Sequence, residues 1–277
     1  MIKKILVAQD GSAHGASALG YGVWLAKRLG AAIAGIHVID VVLLEGPFLH
    51  DISGAIGFEP FLNFSAKMRE VLTIRGNAIL ESFRETCAES SVKSETILST
   101  GIISNEICDK LRLHDLLIIG KKGVNASFER GMLGAATESV VRKSPRPVLV
   151  VPEKFSEPVR PLLAYDGSPN AGAAMHSAAE MVKALSLPLT VITVSSEGDE
   201  GKLIQEAEGY LKPYGVDARY ANIAGEPPSG IERYYKENGH DLLFMGTSHH
   251  SRIVGMVLGS TTEHVMRNVN GPFFLQR

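Results

Sequence analysis

Apolar positions along this 277-residue chain follow two alternating rhythms. Short β-branched or leucine-rich runs at Ile5–Ala8, Ala32–Ile39, Leu116–Ile119 and Val148–Val151 read as strands. Between them lie longer segments whose apolar residues recur at helical spacing. Ala18, Leu19, Val23, Trp24, Ala26 and Leu29 form one helix face, ended by Gly30. Ala171, Ala174, Met175, Ala178, Met181, Val182 and Leu185 form another. Strands that are apolar throughout must be covered on both faces, so the alternation predicts a parallel sheet between helical layers, with right-handed crossovers. Ligands of such sheets bind beyond the carboxyl ends of the strands, at a topological switch point.

The pattern is written twice. Ile5–Ser12 (ILVAQDGS) returns as Pro161–Ser168 (PLLAYDGS), and His114–Gly120 (HDLLIIG) returns as His240–Gly246 (HDLLFMG). Two copies in the same order indicate an internal duplication. The offset between equivalent residues is 156 from Leu6/Leu162 to Val38/Val194 and 124 at Gly101/Gly225, so the first copy carries 32 extra residues between these points. The extras include Leu43–Lys67, with four phenylalanines. This excursion is either a surface segment packed by its own aromatics, or a lid or interface arm. A proline-punctuated linker, Pro152 to Pro161, joins the copies and places domains at 1–152 and 159–277.

Bulk properties narrow the function. A net charge of -2 with 21% charged residues lacks the basic excess of a general nucleic-acid binder. The apolar run after Met1 is too short for a signal peptide, and no stretch approaches the roughly 18 residues of a membrane span, so the expected location is cytoplasmic. Cys87 and Cys108 have neither metal-ligand nor disulfide spacing and read as buried or incidental thiols. The histidines His240, His249, His250 and His264 show no metal-binding spacing, so no metal site is expected. P-loop, GxSxG and GxGxxG motifs are absent, which removes the parts of ordinary kinases, hydrolases and dehydrogenases.

What remains is chemistry at strand ends. Gly246 ends a strand and lets the chain turn without a Cβ. Gly259-Ser260 precedes a helical run, and Glu263 three residues on makes a capping-box pattern. Amides and macrodipole at such a helix start suit phosphate, and the Ser260 hydroxyl adds a donor. Asp10 and Asp166, at corresponding strand ends, are turn residues of Asp-Gly-Ser or ligand contacts, and the residues leave both open. His114-Asp115 and His240-Asp241 read as polar entries to buried strands.

The order strand, glycine, two residues, one further position (His249), nine residues, Gly-Ser and helix resembles the nucleotide-binding universal stress protein family, over nearly the whole chain as two tandem domains. The resemblance also rests on the strand-ending aspartates, on Gly225-Glu-Pro227, and on Lys143-Ser-Pro-Arg-Pro147 before the last strand of the first copy. It implies two α/β, Rossmann-like domains of the adenine nucleotide alpha hydrolase type, each an open parallel five-stranded sheet with helices on both faces. It also implies ATP, with Mg, as ligand. Asp166 then falls near ribose or base, the Val194 backbone near adenine, and Gly246, Gly259, Ser260 and Thr261 near ribose and phosphates, with Ala164 a further nucleotide-binding residue. His249 stands where the family has a second glycine, either obstructing phosphate or donating to it. The first copy offers Asp10, Val38, Gly120, Gly123 and Gly134, but ten residues precede Gly134 and Ala135 replaces the serine. Losing a donor to phosphate costs on the order of 1.5–3 kcal/mol, at least tenfold in affinity, so the second copy is expected to bind better.

The family's last strand commonly dimerises, which implies that Pro147–Val151 and Pro272–Leu275 pair the copies into an intramolecular pseudo-dimer, with a homodimer as further association. A binding module that turns ATP over slowly or not at all is the leading expectation. The alternatives are a nucleotide-free scaffold acting through protein partners and a slow hydrolase using a histidine.

Overall fold

A computed structural model describes residues 2–42, 58–124, 133–195, 201–247 and 258–277. The first half runs β1 (Lys4–Ala8), α1 (Ala13–Leu29), β2 (Ala32–Asp40), α2 (Phe58–Glu89), β3 (Ser94–Gly101), α3 (Ile103–Leu111), β4 (Leu116–Gly120), α4 (Ala135–Lys143), β5 (Val148–Val151). The second runs β6 (Pro161–Ala164), α5 (Pro169–Leu185), β7 (Leu189–Ser195), α6 (Lys202–Leu211), β8 (Ala218–Ala224), α7 (Pro227–Glu237), β9 (Leu242–Gly246), α8 (Ser260–Asn268), β10 (Phe273–Gln276). Each half is a parallel five-stranded α/β unit.

The two sheets are continuous. Strand order is β3-β2-β1-β4-β5-β10-β9-β6-β7-β8, and the only antiparallel step is the central one, where Val148, Leu149 and Val150 face Leu275, Phe274 and Phe273. This antiparallel junction turns the second half end over end. The carboxyl ends of β1–β5 therefore lie along one edge of the ten-stranded sheet and those of β6–β10 along the other, so equivalent sites in the two halves open on opposite edges.

Alternation along each strand divides the core. Ile5 and Val7 enter one layer with α1, the end of α2, α5 and α6, while Leu6 enters the other with α3, α4, α7 and α8. Leu163 and Phe274 join the first layer; Leu162, Ala164, Phe273 and Leu275 join the second. Gly35 and Gly76 mark close approaches: a Cβ on Gly35 would lie 2.7 Å from the Phe83 ring, and one on Gly76 2.7 Å from the His37 ring.

Part of the long excursion is helix. Residues 58–67, grouped by sequence with the preceding segment, are the opening turns of the 32-residue α2, whose only proline, Pro60, sits in the first turn where helices tolerate it. Residues 43–57, and with them the choice between a self-packed surface segment and a lid or interface arm, lie outside the described residues.

The repeated His-Asp pairs prove to be strand entries. Asp115 Oδ2 accepts the backbone N–H groups of Lys3 (2.7 Å) and Lys4 (2.9 Å), and Asp241 accepts those of Val159 (2.9 Å) and Arg160 (2.7 Å). Each carboxylate thus ties the start of β4 or β9 to the start of β1 or β6. These bonds are partly solvated, so Asp241→Ala is expected to cost about 1–2 kcal/mol in chemical denaturation. A midpoint unchanged from wild type would show that water replaces the carboxylate at no cost.

Candidate functional site

Each Asp-Gly-Ser forms a turn that starts a helix. Gly11 (φ 80°) and Gly167 (φ 75°) occupy the left-handed region, which glycine alone adopts freely. Asp10 Oδ1 accepts the Ser12 N–H at 2.9 Å, and Asp166 Oδ1 that of Ser168 at 3.0 Å. The serine hydroxyls then cap α1 and α5 by accepting from Gly15 and Ala171. The turn reading accounts for both aspartates' first oxygens. The second oxygens differ: Asp10 Oδ2 accepts the Val124 N–H at 3.0 Å, clamping the loop after β4, whereas that of exposed Asp166 has no partner among the described residues.

In the first half these parts enclose a cleft of about 450 Å³ at the carboxyl ends of β1, β2 and β4. All five candidate residues of this copy, Asp10, Val38, Gly120, Gly123 and Gly134, line it. One wall is apolar: Ile36 and Val38 of β2, Ile119 of β4, and Ile103 and Ile107 of α3, with exposed Val42, Ile102 and Val124 also lining the cleft. Lys122 and the first turn of α4, Gly134 to Thr137, complete the lining. Gly134 caps α4 with no side chain to offer, and the first helical bond goes from the Glu138 N–H to its carbonyl. The amides of Ala135, Ala136 and Thr137 thus lack intrahelical acceptors, and the macrodipole adds positive potential there. The Thr137 hydroxyl donates to the Gly120 carbonyl at 2.8 Å and fixes α4 against β4. The α3 wall is missing from the sequence-predicted set. Its signal was the four-residue spacing of Ile103 and Ile107 beside an uncapped helix start.

In the second half the expected residues occupy equivalent places. Ala164 ends β6, Val194 lies near the end of β7, Gly246 ends β9, and Gly259, Ser260 and Thr261 open α8. Here the capping-box expectation needs correction. The N-cap is Gly259, whose extended backbone (ψ 144°) and carbonyl, accepting from Glu263, meet the requirements of that position. Ser260 is the first helical residue, and its exposed hydroxyl makes no capping bond. The serine is thereby left unspent. The Val194 side chain packs on α7, where a Cβ on Gly230 would lie 2.9 Å from it. His249 and His250 lie outside the described residues.

The strand-ending glycines serve the fold before any ligand. A Cβ on Gly246 would meet the Ala171 nitrogen at 2.5 Å and the Asn170 carbonyl carbon at 2.6 Å; one on Gly120 would meet His14 Cβ at 2.6 Å. The remaining histidines are dispersed. His240 bonds the Arg160 carbonyl through Nδ1 (3.0 Å) and stacks on Tyr234, while His264 Nε2 contacts Glu232 Oε2 at 2.8 Å. Burial pushes the thiols of Cys87 and Cys108 above the usual pKa, which suits packing residues.

The doubled sheet, with helices on both faces and a cleft at its strand ends, places the chain in the open, doubly wound α/β class of fold. Comparison with known proteins gives the class its family. The model of the universal stress protein family matches residues 1–152 and 197–276, and the chain belongs to that family. Among curated relatives, universal stress protein Slr1230 of Synechocystis sp. is 29% identical over 98% of both chains. Universal stress protein YxiE of Bacillus subtilis is 33% identical over 54% of this chain and 99% of its own length. A universal stress protein from Archaeoglobus fulgidus shares the fold with a TM-score of 0.76 at 24% identity, covering 99% of this chain and 96% of that one.

Proposed function

We propose that this protein is a regulatory module that binds ATP or a related adenine nucleotide, built as an intramolecular pseudo-dimer of domains 1–152 and 159–277. The observation that carries the reading is the first-half cleft. Its aliphatic wall between Val38 and Ile107 suits a flat, weakly polar base, and the α4 amides with Lys122 suit phosphate. Its volume lies within the few hundred to ~1,000 Å³ of small-molecule sites. Mg enters with the nucleotide, since Asp10 spends both oxygens on backbone N–H groups. Regulation by occupancy fits this arrangement better than turnover.

The second half offers Asp166, Val194, Gly259, Ser260 and Thr261 for the same task. Its additional hydroxyl is the reason to expect tighter binding there than at Ala135.

Calorimetric titration of ATP–Mg into wild type, Ala135→Glu and Ser260→Glu tests this directly. A glutamate at the first helical position suits the macrodipole and leaves the helix intact, but sets a carboxylate where phosphate would lie. Each substitution should remove its own half's share of the binding heat, with the larger loss from Ser260→Glu. Wild type that takes up no nucleotide would overturn the proposal in favour of a scaffold acting through protein partners.

A further inference from the structure

A second cleft, of about 540 Å³, lies at the junction of the two halves, between the start of α1, the loops after β4 and β5, and the end of α8. Lys121, Lys122, Lys154 and Arg267 line it, against a single carboxylate, Glu153. Neither Lys154 nor Arg267 forms an ion pair among the described residues.

Cations also line a smaller opening on the other side of the junction, Lys143, Arg146 and Arg277, but the contacts made by equivalent residues differ. Lys121 and Thr247 are equivalent: the N–H of each donates at 2.8 Å to a terminal carbonyl of its half, Val151 or Gln276. His14 is equivalent to Asn170. In the second half Asn170 Nδ2 donates to the Thr247 carbonyl at 2.5 Å, a neutral and self-contained contact. In the first half, Lys121 Nζ instead crosses the junction to the Met266 carbonyl (2.5 Å) and lies 5.8 Å from the centre of the Phe273 ring. The buried His14 Nδ1 has no hydrogen-bond partner among the described residues. Burial and the neighbouring Lys122 charge both pull the Lys121 ammonium below its usual pKa. Gathering cations in this way costs free energy that a polyanion would offset.

We propose that this junctional cleft binds a short phosphate chain, a di- or triphosphate, through Lys122, Lys154 and Arg267 with His14 as a hydrogen-bonding partner. Multiple phosphoryl groups match several cations set around one opening, where a single carboxylate would leave most of them unanswered. The chain is an inorganic one, the adenine nucleotide being assigned to the cleft at α4, and Lys122, which lines both clefts, makes a competition experiment necessary.

The test titrates inorganic triphosphate into the full-length protein, alone and with ATP–Mg in excess. It then compares Lys154→Ala/Arg267→Ala, whose altered side chains belong to exposed residues outside the core. The expected result is binding that weakens with added salt, falls about tenfold or more in the double variant, and persists in the presence of ATP. Equal affinity in wild type and double variant would overturn the proposal. So would displacement of triphosphate by ATP, which would place it at the α4 helix start. Because triphosphate is titrated alone first, failure of the nucleotide reading leaves this result interpretable.

Discussion

Gly246→Ala is expected to destabilise the protein by about 3 kcal/mol or more with no nucleotide present, well beyond an ordinary surface change. The new methyl would sit 2.5 Å from the Ala171 nitrogen, 2.6 Å from the Asn170 carbonyl carbon and 3.0 Å from the Ala171 Cα. All three are backbone atoms, so no side-chain rotation relieves the clash. The start of α5 would have to leave β9, yet it is pinned by the Ser168 cap, by the Asn170 amide on the Thr247 carbonyl, and by a buried face from Ala171 to Leu185. Denaturation midpoints of the ligand-free proteins give the answer. An unchanged midpoint would return this glycine to the role the bare motif suggests, close approach of a ligand.

That result bears on how the chain is read. The motif glycines were legible as motif, and their positions at strand ends were correctly placed, but the reason for them was not visible in sequence. Nothing in the spacing of Gly246 and Asn170, 76 residues apart, signals that a helix start presses on a strand end. Strands, helix faces and the Asp-Gly-Ser turns were legible because each obeys a local rule, and the duplication supplied an independent copy of every signal. Three features lay beyond local rules. Residues 58–67 joined α2 because their phenylalanines are spaced for a helix as readily as for a packed loop. The cap of α8 fell on Gly259 because carbonyl geometry, rather than the presence of a hydroxyl, defines the N-cap. The α3 wall of the cleft was hidden because an apolar pair on a short helix usually means core. For the junction, the resemblance supplied the partner strands, while their direct antiparallel register depends on two four-residue runs, VLVV and FFLQ, that are apolar enough to pair either way.

The same junction sets the second large effect. Phe274 is fully buried at the centre of the ten-stranded sheet, paired with Leu149 across the antiparallel step, with its ring 5.0 Å from that of Phe244 on β9. Phe274→Ala removes a ring on which neither β5 nor β9 can collapse without breaking register, so the expected cost is about 3–5 kcal/mol. How that cost spreads decides whether the halves fold as one. Trp24, the chain's single tryptophan, lies on α1 in the first half, far in sequence from the substitution. If the continuous sheet unfolds as a unit, fluorescence of Trp24 and far-ultraviolet dichroism shift together in the variant. A fluorescence transition that stays at the wild-type midpoint while dichroism moves would mean that the hydrogen-bonded junction joins two independently stable halves. Strand pairing at β5 and β10 would then supply orientation, setting the two candidate sites on opposite edges, without supplying cooperativity.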